Sequence, residues 1–326
     1  MIVVTGATGH IGNVLIRELL ARGERVRAII PPLEDTTSLE GLKIERVEGD
    51  IQNVNSLTQA FSGADVVYHL AAVISILVGN AKLLYQVNVM GTRNVVKACL
   101  KSHVPRLIYT SSIHARVEPP LGTVIDETMP FTPERIIDKY GKSKSLATLE
   151  ALAGIKKGLD VVVVCPSGVI GPYDFRPSEM GQLLIDFARR KLKTYVDGAY
   201  DFVDVRDVAR GHILAFEKGK TGESYILSGE RITVAELMLA LEELTGVKAP
   251  RYKMPFWLAR VMVIFAPLYY RLSGAKPRFT SDSIRILRSN SLISSQKARR
   301  ELGYSPRPIR ESIADTIQWL KETGRL

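Results

Sequence analysis

The sequence predicts an α/β fold: a doubly wound parallel sheet with helices on both faces, completed by a smaller C-terminal lobe. Three observations predict it. Short β-branched runs alternate with helically spaced apolar residues through the first half of the chain. One run, Val161–Cys165, is apolar at every position, as a central parallel strand buried on both faces must be. The first strand passes through a glycine-rich turn into the first helix.

Met1–Thr5 reads as a strand, and His10–Arg22 as a helix, because Ile11, Val14, Leu15, Leu19 and Leu20 share a helical face. Arg25–Ile30 is the second strand, broken by Pro31-Pro32. Ile44–Glu48, Asp65–Leu70 and Arg106–Thr110 are further strands, with helices at Asn55–Phe61 and Lys82–Ser102 between them. Asp138–Lys157 is the next long helix and precedes Val161–Cys165. After Gly168 the alternation loosens. Helices are expected at Glu179–Arg190, Arg206–Lys218 and Thr233–Thr245, with strands at Thr194–Val196 and Ser224–Leu227. No repeat or low-complexity linker divides the chain, so residues 1–168 read as one domain and 169–326 as a lobe interleaved with it. Met254–Leu272 is apolar and aromatic yet contains Arg260 and Pro267. A membrane span needs about 20 apolar residues, so core or lid packing is the leading reading. A wall for an apolar ligand, or contact with a membrane surface, is the minor one.

The composition, 326 residues with 46% hydrophobic and 24% charged, is that of a globular protein with a sizeable core. Cys99 and Cys165 lie in apolar runs and fit buried thiols of a reducing compartment. No Cys/His cluster has metal-ligand spacing, so no metal is expected. Met1 leads straight into a strand without a signal-peptide layout, which points to the cytoplasm. The net charge of +10 is spread out, with a C-terminal bias from Arg285, Arg288, Lys297, Arg299, Arg300, Arg307 and Arg310. Without interleaved aromatics this reads as a solvated surface, and nucleic acid is not an expected partner.

The turn Thr5-Gly6-Ala7-Thr8-Gly9-His10-Ile11-Gly12 has the strand–helix context that makes a glycine pattern credible. Gly6 permits the turn, Gly9 lets backbone approach a pyrophosphate, and Gly12 allows close packing of helix on strand. The phosphates would rest on the helix N-terminus. Further along, Tyr140 and Lys144 are four residues apart and share a helical face. An ammonium beneath a phenol would lower its pKa towards the working range of an acid–base catalyst. Thr110-Ser111-Ser112 closes an apolar strand and supplies a hydroxyl. A dinucleotide turn combined with a phenol, an amine and a hydroxyl points to redox chemistry.

These motifs resemble the extended short-chain dehydrogenase/reductase family, and the resemblance spans most of the chain. Carrying it are the glycine turn, Gly49-Asp50-Ile51, His69-Leu70-Ala71-Ala72, Asn88-Val89-Met90-Gly91-Thr92, Tyr109-Thr110-Ser111-Ser112 and Tyr140-Gly141-Lys142-Ser143-Lys144. Pro166–Pro172 and Phe202–Ala209 extend it. Within the family the chain is most similar to the dihydroflavonol reductase-like branch, including the hopanoid-associated sugar epimerase group, on Gly171–Pro177 and Tyr195–Ala209. The resemblance implies a Rossmann-type domain with a small substrate-binding lobe and the catalytic set Ser112, Tyr140 and Lys144, with Ser111 as the fallback serine. It implies cofactor contacts at Gly6, Thr8, Gly9, His10, Ile11, Gly12, Asp50, Ile51, Leu70, Ala71, Ala72, Asn88, Tyr140, Lys144 and Pro166. Asp50 and Ile51 would flank the adenine, Leu70–Ala72 would line the strand edge, Asn88 would hold the active-site backbone, and Pro166 would border the nicotinamide. A homodimer through the helices Lys82–Ser102 and Asp138–Lys157 is also implied. Asp207 reads as a helix cap, and His114 is given no role.

The expected activity is hydride transfer between NAD(P) and a ketone, aldehyde or secondary alcohol. A nucleotide-sugar epimerase is the alternative enzyme, and a non-catalytic dinucleotide sensor the alternative of another class. Ser112-Ile113-His114-Ala115-Arg116 has no acidic residue beside the catalytic hydroxyl, which argues against a dehydratase. The second strand ends in Ile30-Pro31-Pro32 where an acid would bind the ribose 2′-hydroxyl of NAD. Glu34 and Asp35 come only after the turn, so the missing acid tilts the choice between NAD and NADP slightly towards NADP.

Overall fold

The structure, a computed structural model, describes residues 1–74, 81–263, 285 and 287–326. Strands β1 (Ile2–Thr5), β2 (Val26–Ile30), β3 (Glu45–Glu48), β4 (Val66–His69), β5 (Arg106–Thr110) and β6 (Asp160–Pro166) follow in chain order. After them come β7 (Gly168–Ile170), β8 (Thr194–Val196), β9 (Ala199–Asp204), β10 (Ser224–Leu227), β11 (Glu230–Thr233) and β12 (Tyr252–Met254). Seven of these form one sheet, ordered β10-β6-β5-β4-β1-β2-β3. Every pairing in it is parallel.

Period-2 alternation explains why these runs had to be apolar throughout. Val161, Val163 and Cys165 join the core on one face, with the helices Val54–Ala60, Gly91–Lys101 and Lys139–Ala153. Val162 and Val164 join the core on the other, with the helices His10–Ala21, Val205–Lys218 and Gln296–Leu302. A polar residue at any of these five positions would be buried without a partner. Cys99 and Cys165 are both buried and free.

The second lobe has its own core, in which Leu184, Phe187, Leu241, Ile313, Ile317 and Trp319 pack together. Its sheets are small: β11-β9-β7, and the pair β12-β8. The chain returns from it to the main sheet, since β10 pairs with β6 through Ser224↔Val163 to Leu227↔Pro166. The lobes are therefore not separated at a single point in the sequence. Ion pairs neutralise much of the C-terminal basic bias: Lys297 with Glu223, Arg300 with Glu301, Arg307 with Asp207, and Arg310 with Glu243.

Two local expectations are corrected. The cap of the helix Val205–Lys218 is Asp204, whose side chain accepts from the Arg206 amide. Asp207 instead lies inside the first turn, buried, and receives the Arg307 guanidinium on both oxygens at 3.0 Å. The long helix expected over Lys82–Ser102 is interrupted: Tyr85–Met90 is π-helical between Ala81–Leu84 and Gly91–Lys101. The apolar stretch Met254–Leu272 falls within the described residues only to 263. Residues 256–263 are helical, with Ala259 and Val263 packed on Val196 and Trp257 two-thirds exposed. No helix among the described residues is long and apolar enough to cross a membrane.

Candidate active site

A sheet with every strand parallel brings all its carboxyl ends to one edge, and ligands bind at that edge where the strand order reverses. The reversal here lies at β1, between β4 and β2. Gly6 follows β1, Asp50 follows β3, Leu70–Ala72 follow β4, Ser111 and Ser112 follow β5, and Pro166 ends β6. The fold thus collects on one rim residues scattered over 160 positions of sequence.

The glycine turn is tight by necessity. Gly6 has φ +70°, and a Cβ there would stand 2.6 Å from the Ala71 amide nitrogen. A Cβ on Gly12 would stand 2.1 Å from the Gly6 carbonyl oxygen, so helix and turn can touch only without it. Gly9 is the N-cap of the helix His10–Ala21 and offers no side-chain cap. An uncapped N-terminus presents amide donors and the positive end of the macrodipole to an anion. These features fit a dinucleotide pyrophosphate. His10 Nε2 lies 3.0 Å from the Pro172 carbonyl oxygen and Asn13 Nδ2 3.2 Å from that of Tyr173, tying the turn to the second lobe. Asp50 turns into its own loop, its Oδ1 accepting from the Gln52 amide. Ile51 packs against Gly91, where a Cβ would meet its Cδ1 at 2.8 Å.

Ser112, two residues past β5, is in extended conformation, and its Oγ accepts from the His114 amide at 3.2 Å. Its side chain is also close enough to the Tyr140 phenol to favour the phenolate. Ser111 points elsewhere, 2.7 Å from Thr148 Oγ1 within the helix packing. Geometry therefore separates Ser112 from its neighbour. Tyr140 lies in the first turn of the helix Lys139–Ala153, capped by Asp138 through the Gly141 amide. Burial pushes its phenol up to about 12, with Ser112 opposing the rise and the Asp138 carboxylate adding to it. The expected lowering by Lys144 is not found. Lys144 Nζ instead donates to the Thr110 carbonyl at 2.6 Å and lies 4.7 Å from the Tyr109 ring centre. Burial brings this amine down to about 7.

A second layer of hydrogen bonds fixes these groups. Asn88, buried in the π-helical turn, accepts from the Val73 amide at 2.8 Å and donates to the Val73 carbonyl and to Ser143 Oγ. Ser143 Oγ in turn donates to the Tyr140 carbonyl at 2.7 Å. π-Helical turns recur at functional sites, and this one turns Asn88 towards the Tyr140 helix. His212 Nδ1 lies 2.8 Å from the Val208 carbonyl and so carries the proton, leaving Nε2 to accept from Thr110. Burial holds this imidazole down at about 4, hence neutral.

Two groups that the sequence reading named without a role have partners at the site. His114 Nε2 lies 2.8 Å from the Tyr200 hydroxyl, with the rings stacked 6.0 Å apart, next to Ser112. Glu34 Oε1 accepts from the Thr8 hydroxyl at 2.7 Å and from Arg176 of the second lobe at 2.5 Å. The turn after β2 thus folds a carboxylate back onto the nucleotide loop, which the linear distance past Pro31-Pro32 concealed. Among the described residues no group of His, Cys, Asp and Glu could hold a metal ion.

Residues 2–228 match the model of the NAD dependent epimerase/dehydratase family. The chain is 39% identical over 327 residues to the sterol demethylase protein B of Methylococcus capsulatus, covering 99% of both. It is 35% identical to a Synechocystis protein provisionally named a dihydroflavonol 4-reductase, covering 98% of this chain and 94% of the relative. The solved structure of gox2253 superposes with a TM-score of 0.88 at 35% identity, over 100% of this chain and 99% of that one.

Proposed function

This chain belongs to the NAD-dependent epimerase/dehydratase family and is an NAD(P)-dependent oxidoreductase of the extended short-chain type; we propose that it reduces a ketone or aldehyde, or oxidises the matching secondary alcohol, on a largely apolar substrate. The observation that carries this reading is the approach of the Ser112 side chain to the Tyr140 phenol, on the helix that also carries the buried Lys144. Substrate polarity is argued from the relatives' names, which speak of sterols and dihydroflavonols.

When bound, the nicotinamide supplies or takes up the hydride. Ser112 and Tyr140 both direct hydroxyls at the substrate oxygen, where negative charge grows as the carbonyl is reduced. Donors fixed in advance of that charge give such a site most of its rate. A phenol held at about 12 keeps its proton at neutral pH, so Tyr140 is set to donate, the role that reduction needs. Lys144 holds the ribose and, once cationic, stabilises the phenolate left behind. Gly6–Gly12 seat the pyrophosphate, and Asn88 keeps the Val73 backbone and the Tyr140 helix in register.

The second lobe, built on the core of Leu184, Phe187, Leu241, Ile313, Ile317 and Trp319, covers the substrate in this scheme. A homodimer is proposed through the helices Gly91–Lys101 and Lys139–Ala153, supported by the exposed Leu83, Tyr85 and Leu149 on and beside them. A cytoplasmic location is likewise proposed.

Tyr140→Phe tests the scheme. The variant should bind NAD(H) or NADP(H) as the parent does, yet lose turnover by about a thousandfold or more. Undiminished turnover would remove Tyr140 from the chemistry. Sugar epimerisation, the second reading that the family model includes, forms product without a net change in cofactor absorbance.

A further inference from the structure

The constellation around Glu34 bears on which dinucleotide the protein takes. Both its hydrogen bonds, from Thr8 and from Arg176, go to Oε1. Oε2 is left to accept from a ribose hydroxyl. The carboxylate belongs to the turn after β2, next to the nucleotide loop after β1, and those strands are paired through Thr5↔Ile29. That is the adenosine side of the reversal point, opposite Ser112 just past β5 and Tyr140 on the following helix. Ser38 Oγ donates to the Thr8 carbonyl at 3.1 Å, holding the turn down on the loop.

The cations nearby are already engaged. Arg176 donates to Glu34 and to the Asp35 carbonyl at 2.8 Å. Arg17 donates to the Ser38 carbonyl and stacks 4.6 Å from the Tyr173 ring centre. Sequence alone tilted towards NADP because no acid stands at the end of β2. The fold supplies one from four positions further on.

We propose that Glu34, pinned by Thr8 and Arg176, selects NAD over NADP. Its carboxylate occupies and charges the place where a 2′-phosphate would meet Thr8, and it engages the guanidinium that would otherwise receive that phosphate. The inference rests on the dinucleotide reading above, and direct binding separates the two. Titrations of the full-length protein with NADH and with NADPH, followed by nucleotide fluorescence, should give at least about tenfold tighter binding of NADH, the scale of one partly screened charge repulsion. Glu34→Gln keeps the shape, removes the charge and frees Arg176. It should raise NADPH affinity by about tenfold and weaken NADH binding by a few-fold, because the acceptor for the ribose hydroxyl loses its charge. Glu34→Gln combined with Arg176→Ala should lose most of that gain. A parent that prefers NADPH, or a Glu34→Gln variant with an unchanged preference, overturns the proposal. Binding of neither nucleotide would sink the dinucleotide reading itself.

Discussion

Replacing Lys144 with Met should make the protein more stable at neutral pH, and by less as the pH rises. Lys144 is 3% exposed, and burial lowers its amine from 10.5 to about 7. Between those values the unfolded chain binds the proton that the folded chain has released, so folding stability rises with pH across that window. A tenfold change in proton affinity between the two states corresponds to about 1.4 kcal/mol. The buried amine therefore costs about 4 kcal/mol at pH 7 and about 2 kcal/mol at pH 9. Methionine has a similar stem and no charge, but it gives up the bond to the Thr110 carbonyl, worth about 1 kcal/mol. The variant should be more stable by about 3 kcal/mol at pH 7, with the gap shrinking by about 2 kcal/mol at pH 9. Urea unfolding of both proteins at the two pH values measures this. A gap that stays constant or widens with pH would refute the burial argument. The same variant should bind nucleotide poorly, because an amine kept at such a cost in stability is explained by function.

Other consequences follow from the packing. Gly12→Ala should weaken NADH binding by about tenfold or more and lower the melting temperature, since overpacking of about 1–3 kcal/mol against the Gly6 carbonyl outweighs a helix-propensity gain of about 1 kcal/mol. Calorimetry and a binding titration check both. Asn88→Ala strips the partner from the Val73 amide, the Val73 carbonyl and Ser143, and should destabilise by about 3 kcal/mol in chemical denaturation. Arg307→Ala leaves the buried Asp207 carboxylate uncompensated and should cost about 3–5 kcal/mol, with Arg307→Lys recovering part of it.

The main sheet was legible because its strands are buried on both faces and so are written as unbroken apolar runs; Val161–Cys165 shows this best. The second lobe was harder to read. Strands such as Gly168–Ile170 and Glu230–Thr233 have three and four residues, too few for a period to declare itself. The final helix, Ile309–Glu322, did carry a signal, with Ile309, Ile313, Ile317 and Leu320 at helical spacing on its buried face. In the candidate site, the glycine turn and the Tyr140–Lys144 spacing are local facts that one window of sequence contains. The direction of the Lys144 amine, the reach of Glu34 back to Thr8 and the Tyr200–His114 contact are tertiary facts. Each pairs elements 26 to 86 residues apart or depends on burial, which no window contains.

The most direct test is a crystal structure of the protein with NADH. The account predicts a pyrophosphate on the amides of His10–Gly12 and a nicotinamide lodged beside Ser112 and Tyr140, with Lys144 swung to the ribose. A nucleotide bound away from the Gly6–Gly12 turn, or one whose nicotinamide faces away from Tyr140, would contradict it.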